Sequence, residues 1–253
     1  QLILAILIAA GTGVVFSLFH AFAAINMKAD QTISGTALNM FAPAFAIFVA
    51  RRITGTQQIQ FTNTFRIASV PVLGDIPVIG NLFFKNTYIT TYIGFAILII
   101  STIVLYYTRF GLRLRSCGEH PQAADSVGIN VYKMQYAGVI ISGALGGLGG
   151  LVFVVPTSTN FNATVAGYGF LALAVLIFGQ WHPVKIFGAS IFFGLMKTVA
   201  ATYSSIPFLS TSGIPSYIYK MIPYIATLIV LVFTSKNSQA PKAEGIPYDK
   251  GAR

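Results

Sequence analysis

Charge-free apolar runs, separated by short polar breaks, dominate this chain. Residues 1–27, 31–50, 86–108, 134–184 and 198–219 contain no Asp, Glu, Lys or Arg. A helix needs about 20 apolar residues to cross roughly 30 Å of hydrocarbon. The run 134–184 is too long for one crossing, and the polar cluster around Thr157, Asn160 and Asn162 divides it. The spacing predicts helices over residues 1–25, 33–50, 87–108, 135–156, 166–180, 184–203 and 217–234. The fifth is short and opens with Gly167 and Gly169, which predicts a half-helix or re-entrant element. Such a backbone is tolerated only where protein or a water-filled cavity satisfies it. The expected fold is an all-α, polytopic transmembrane helical bundle over residues 1–234. A polar tail over 235–253, with Pro and Gly but no apolar periodicity, is expected to be disordered. Gln1 already lies inside an apolar run, which predicts that one or more spans precede it.

Composition removes the soluble classes. Apolar residues make up 55% and charged residues 9%, with a mean hydropathy of +0.74. Soluble domains carry roughly 25% charged residues, so this chain cannot cover a water-facing surface. The net charge of +10 does not point to nucleic acid, because the basic residues stand singly at the ends of apolar runs. That placement is a topology signal. With seven crossings and a cytoplasmic tail, the cytoplasmic side holds Lys28, Arg109, Arg113, Arg115, Lys133, Lys185 and the tail cations. The opposite side holds Arg51, Arg52, Arg66 and Lys85. The positive excess favours this orientation. Loop 51–86, punctuated by Pro71, Gly74, Pro77 and Gly80, reads as an interfacial cap or re-entrant piece.

Several chemistries are absent from the sequence. There is no G-x-x-x-x-G-K-[ST] loop to cradle nucleotide phosphates. The run Gly143–Gly150 (GALGGLGG) has neither the lysine nor the spacing. It contains Gly143-x-x-x-Gly147 and Gly146-x-x-x-Gly150, patterns that let membrane helices approach backbone to backbone. His20, His120 and His182 are far apart, and Cys117 is the single cysteine. No catalytic, metal or cofactor site is expected. Every acid falls in or beside a predicted loop, which disfavours an ion-gradient carrier or channel with a mid-membrane carboxylate. Lys197 lies inside the sixth predicted helix. It is either functional or, as favoured here, snorkels toward the outer interface.

Residues 109–134 (RFGLRLRSCGEHPQAADSVGINVYKM) carry the most information. Arg109, Arg113 and Arg115 anchor the preceding span. Pro121 suits a first helical position, Glu119 precedes it, and Gly128 suits a stop. These signals predict a short helix over 122–127 outside the membrane. Ala123, Ala124 and Val127 are expected to share one small apolar face, suited to docking in a groove of a cytoplasmic partner.

The stretch "GLRLRSCGEHPQAADSVGINVYKMQYAGVIISGALGGLGG" resembles the signature of membrane permease subunits of bacterial ABC importers for simple sugars, nucleosides and branched-chain amino acids. The segments "HAFAAINMKADQTISGTALNM", "LGDIPVIGNLFF" and "GYGFLALAVLIFGQWHP" agree, and the last is similar to purine-nucleoside importers. The resemblance implies a bacterial plasma-membrane subunit that hydrolyses nothing itself. ATP is used by a partner ATPase, a second permease completes the pore, and a solute-binding lipoprotein delivers substrate. It implies that Gly118, Glu119, His120, Pro121, Ala123, Ala124, Asp125, Gly128 and Ile129 form the cytoplasmic coupling segment. Asp30, Gln31, Ser34, Gly35, Leu38 and Asn39 match a polar motif beside the path, and Gly167, Phe170 and Ala172 an inner element. Polar and aromatic residues suited to line a path are Ser34, Gly35, Asn39, Phe41, Asn160, Phe161 and Phe170. For Asn39 a helix-to-helix hydrogen bond is the alternative. Lys197 departs from the family pattern.

Overall fold

The structure, a computed structural model, describes residues 1–57, 59–60, 66–69, 85–157, 160–161, 163–205, 215–234 and 239–251. Most of loop 51–86, Asn162 and residues 206–214 lie outside the described residues. The chain divides into two compact units, residues 1–166 with 241–253, and residues 167–240.

In the first unit, α1 (Leu2–Ala21) runs into a π-helical turn at Phe22–Asn26. Asp30 then opens α2 (Gln31–Thr54), its carboxylate accepting from the amides of Thr32 and Ile33 at 2.8 and 2.9 Å. This satisfies two of the donors that a helix start leaves unpaired. Gly55, at φ 73°, closes α2 with the left-handed residue that favours glycine. The helix continues past residue 50 through Arg51 and Arg52, whose charges suit the carbonyl end.

Helix α3 (Ile89–Tyr107) breaks at the extended Thr108, which caps α4 (Arg109–Glu119). Gly111 allows the reversal: a Cβ there would collide with the carbonyls of Val104 and Leu105. The sequence treated 109–119 as an anchor for the preceding span, but it is a helix of its own. Phe110, Leu114 and Cys117 recur at helical spacing on its inward side, and the Arg115 guanidinium lies 4.6 Å above the Tyr106 ring. A short α5 (Pro121–Ser126) follows, then α6 (Val131–Thr157). The Asn130 side chain accepts from the Lys133 amide at 3.0 Å and starts α6 four residues ahead of the expected span.

Helices α1 and α6 pack through small residues. A Cβ on Gly147 would overlap the Ala9 carbonyl, one on Gly143 would strike Ser17, and one on Gly13 would meet the Gly143 carbonyl. Gly146, Gly149 and Gly150 have nothing within 4 Å of such a Cβ. Only the Gly143/Gly147 pattern therefore makes the close approach. Two polar links join this unit's helices: His20 Nδ1 pairs with Ser34 Oγ at 2.6 Å, and the Tyr136 hydroxyl donates to the Asn26 side-chain oxygen. Two small antiparallel pairs complete the unit. β1 (Ile59–Gln60) pairs with β4 (Asn160–Phe161), and β2 (Arg66–Ser69) with β3 (Lys85–Tyr88).

The second unit holds α7 (Tyr168–Phe178), α8 (Pro183–Thr202), a 3-10 turn at Tyr203–Ser205 and α9 (Ser216–Thr234). Gln180 and Trp181, both left-handed at φ 48° and 57°, make the α7–α8 turn. Gly179 packs so tightly on Ile186 that a Cβ would overlap it. Phe178, Phe192 and Phe193 interlock beside the turn, with centroids 5.3–6.0 Å apart.

The chain is a multi-pass, all-α membrane protein. Among the described residues, five helices are long and apolar enough to cross a bilayer. Helix α7 has 11 residues, about 16 Å at 1.5 Å per residue, or half a hydrocarbon core. It is the short element that the sequence predicts.

The tail, expected to be disordered, is packed over residues 241–249. Tyr248 is only 5% exposed and joins a buried cluster with Cys117, Ala124 and Val131. Its low apolar content hid this, because one aromatic side chain carries most of the burial.

Candidate functional site

The short helix α5 forms as its terminal residues dictate. Pro121 takes the first position, where its missing N–H costs nothing. At the other end Gly128 adopts φ 84°, its amide donates to Asp125 O at 2.9 Å, and the Ile129 amide donates to Ala124 O at 3.1 Å. Those two bonds are a Schellman stop.

The coupling residues divide between two faces. Pro121 and Ala124 are buried, and Ala124 is 3% exposed. Gly118 and Ile129 are half-buried, as is Asp125, which pairs with the Tyr248 hydroxyl. Glu119, His120, Ala123 and Gly128 are exposed. So are Gln122 and Val127, the latter at 75%. The expected apolar face is thereby corrected. Ala123 and Val127, four apart, point outward together, whereas Ala124 lies about 100° around the helix and packs inward. Glu119 ends α4 and does not sit within the start of α5. The surface open to a partner is Glu119, His120, Gln122, Ala123 and Val127. Gln122 is the exposed residue that the sequence reading leaves out.

The path candidates also divide. On α2, Ser34 is taken up by His20. Gly35, Thr32, Thr36 and Asn39 line one exposed stripe at helical spacing. Among the described residues the Asn39 side chain has no hydrogen-bond partner and is exposed. An exposed amide in an apolar span is costly against lipid. Phe41 stacks on Phe45 at 5.6 Å and meets Phe16 at 6.1 Å, yet stays 52% exposed. Asn160 and Phe161 form the two-residue strand β4, registered against Gln60 and Ile59. Polar residues at a break need backbone partners, and the short ladder supplies them.

Phe170 belongs to the second unit, where it borders a cavity of about 690 Å³ between α7, α8 and α9. Tyr168, Lys197, Tyr224 and Thr227 share the lining. The Lys197 ammonium sits 4.0 Å from the Tyr168 ring centroid, a cation–π contact. Its stem runs toward the start of α7, the direction expected of snorkelling, yet its charge ends on an aromatic face of the cavity. The volume falls in the range of small-molecule sites, roughly 300–1,000 Å³. Among the described residues no group of three or more His, Cys, Asp or Glu could hold a metal ion.

Comparison with known proteins adds the following. The family model for the permease component of branched-chain amino acid transport systems matches residues 1–231. The guanosine ABC transporter permease protein NupQ of Bacillus subtilis is 46% identical over 99% of this chain and 78% of its own length. The nucleoside ABC transporter permease protein NupC of Lactococcus lactis is 44% identical over 98% of this chain and 78% of its own. A second Lactococcus lactis nucleoside permease protein, NupB, is 27% identical over 62% of this chain and 42% of its own. No solved structure matches the chain.

Proposed function

The chain belongs to the branched-chain amino acid transport system permease-component family, and we propose that it is the nucleoside-translocating permease subunit of an ATP-driven importer. Near-full-length similarity to two permeases named for guanosine and nucleosides carries this reading. The geometry supports it in three places. Helix α5 presents a small outward face on the side that the basic residues assign to the cytoplasm. The polar stripe Thr32–Thr36–Asn39 on α2 needs a wet path or a second permease to face. The cavity at Phe170 and Lys197 offers aromatic surface and a donor, which is the chemistry a nucleobase accepts.

In this mechanism the chain carries out no covalent chemistry. A partner ATPase closes on ATP and displaces α5, and the bundle rocks between outward- and inward-facing states. A second permease completes the path, and an extracytoplasmic lipoprotein supplies selectivity. Membrane binding of the substrate is then weak, consistent with scattered polar groups.

The test is uptake into proteoliposomes holding the complete importer. Guanosine accumulation should require ATP inside the vesicle and survive ionophores that collapse ion gradients. Uptake lost with the ionophores, or persisting without the ATPase, would exclude the proposal. Competition by sugars or branched-chain amino acids, with nucleosides inert, would reassign the cargo within the family.

A further inference from the structure

Residues 241–249 lie across the elements that hold α5. Pro241 covers Gly118, its Cβ 3.4 Å from where a Gly118 Cβ would stand. The Ala243 amide donates to the Gly118 carbonyl at 2.9 Å. A tight turn follows, with the Glu244 amide on Pro241 O at 3.0 Å and Gly245 at φ 77°. Tyr248 then enters the cluster of Cys117, Ala124 and Val131, its ring centroid 5.3 Å from that of Tyr132. Its hydroxyl meets Asp125. Asp249 pairs with Lys28, in the α1–α2 link, at 2.8 Å.

The tail thus touches α4, α5, α6 and the α1–α2 link. Ordering a residue costs about 1–2 kcal/mol of backbone entropy, so a tail without packing partners stays mobile. Here one inserted tyrosine, one backbone bond and one ion pair give the segment such partners. Helix α5 has six residues and sends only Pro121 and Ala124 inward. A helix this short does not hold its own position in water. Force on its outer face would roll it about those two small contacts unless something braced the far side.

We propose that Pro241–Asp249 is a strap that sets the position of α5 against the bundle, with Tyr248 as its positioning residue. The strap passes motion of α5 into α6 and the α1–α2 link. This rests on the reading of α5 as the helix gripped by the ATPase.

The chain supplies its own reporter, because the single cysteine, Cys117, is buried in the same cluster as Tyr248. Three variants of the full importer separate the outcomes: a stop after Ala240, Tyr248→Ala and Tyr248→Phe. Maleimide labelling of Cys117 reads whether the strap is seated, and guanosine moved per ATP hydrolysed reads coupling. The stop and Tyr248→Ala should label Cys117 at least about tenfold faster, since labelling no longer waits for local opening. They should bind wild-type amounts of ATPase yet move less guanosine per ATP. Tyr248→Phe, which keeps the ring, should recover most of both. If the truncated chain fails to assemble, Tyr248→Ala decides. Unchanged Cys117 labelling would overturn the strap, as would exposed Cys117 with unchanged guanosine per ATP. If wild-type chain binds no ATPase, the α5 reading fails by itself, and fast labelling in Tyr248→Ala would still show the strap seated.

Discussion

Substituting Gly147 by Ala tests the α1–α6 contact against a control at the adjacent residue of the same helix, Gly146. The added methyl at 147 would overlap the Ala9 carbonyl and lie 3.3 Å from Gly13 Cα. Both neighbours are backbone, so neither can rotate aside, and the helices must part. Overpacking of this kind costs about 1–3 kcal/mol, and a backbone collision belongs at the upper end. The same methyl at Gly146 meets nothing within 4 Å. Both substitutions gain helix propensity, about 0.5–1 kcal/mol. The difference between the two variants therefore isolates the overlap. For a chain this size it corresponds to a melting-midpoint gap of roughly 4–10 °C. Far-UV circular dichroism melts of the detergent-solubilised chain measure it. Gly147→Ala should melt lower than wild type and Gly146→Ala no lower. Equal shifts in both would refute the assignment of the close approach to the Gly143/Gly147 face.

The cap at Asp30 predicts that Asp30→Ala lowers stability by about 1 kcal/mol while Asp30→Asn is nearly silent, read by the same melts. Gly128→Ala places a side chain at φ 84° and should cost about 1–2 kcal/mol, with faster amide exchange confined to residues 121–130. Lys197→Met and Tyr168→Leu should lose less together than the sum of their separate losses, because each removes the same cation–π contact; simple additivity would contradict it. Two pH effects follow outside the membrane. Burial raises the Cys117 thiol, and its hydrogen bond with Ser116 only partly opposes this, so labelling relative to a free thiol should still climb above the ordinary thiol range. The Lys28 hydrogen bond, then the Gly251 amide, holds Asp249 below the usual carboxylate range, and Asp249 raises Lys28. The pair's contribution is present above the unfolded carboxylate pKa and lost as pH falls through the depressed one. At the basic end it is lost as pH rises through the raised lysine value. Exchange protection of the Ala243 amide should therefore be flat from about pH 6 to 8 once intrinsic rates are divided out.

The spans were legible because bilayer thickness and the cost of buried charge set them together. All seven expected helices are present, and most ends differ by only a few residues. The misplaced ends have local causes. Lys133 interrupted the charge-free run, so α6 was started late, although Asn130 caps it further upstream. Arg51 and Arg52 end the charge-free run at residue 50, whereas in the structure they complete the last turn of α2. Helix α5 was readable from Pro121 and Gly128, but the side facing the partner was not. Ala124 lies about 100° around the helix from Ala123, and which edge of that span turns inward is set by packing on neighbouring elements, with Ala124 3% exposed and Val127 75%. Helix α4 was hidden by its arginines, which also read as membrane anchors. Phe110, Leu114 and Cys117 carried the periodicity that would have found it. The tail carried no pattern at all, and what seats it are long-range partners to Tyr248 and Asp249 that no local window contains. The β1–β4 pair is equally silent in sequence, since two residues have no alternation to detect.

The central claim is that the outer face of α5 is where an ATPase grips this chain. A photo-crosslinking residue placed at Val127, exposed and outside the chain's own core, tests it in intact cells. The account predicts one dominant adduct to a nucleotide-hydrolysing subunit, with a yield that changes when ATP hydrolysis is blocked. Adducts only to lipid, or accessibility of residue 127 to a membrane-impermeant reagent from outside the cell, would contradict it.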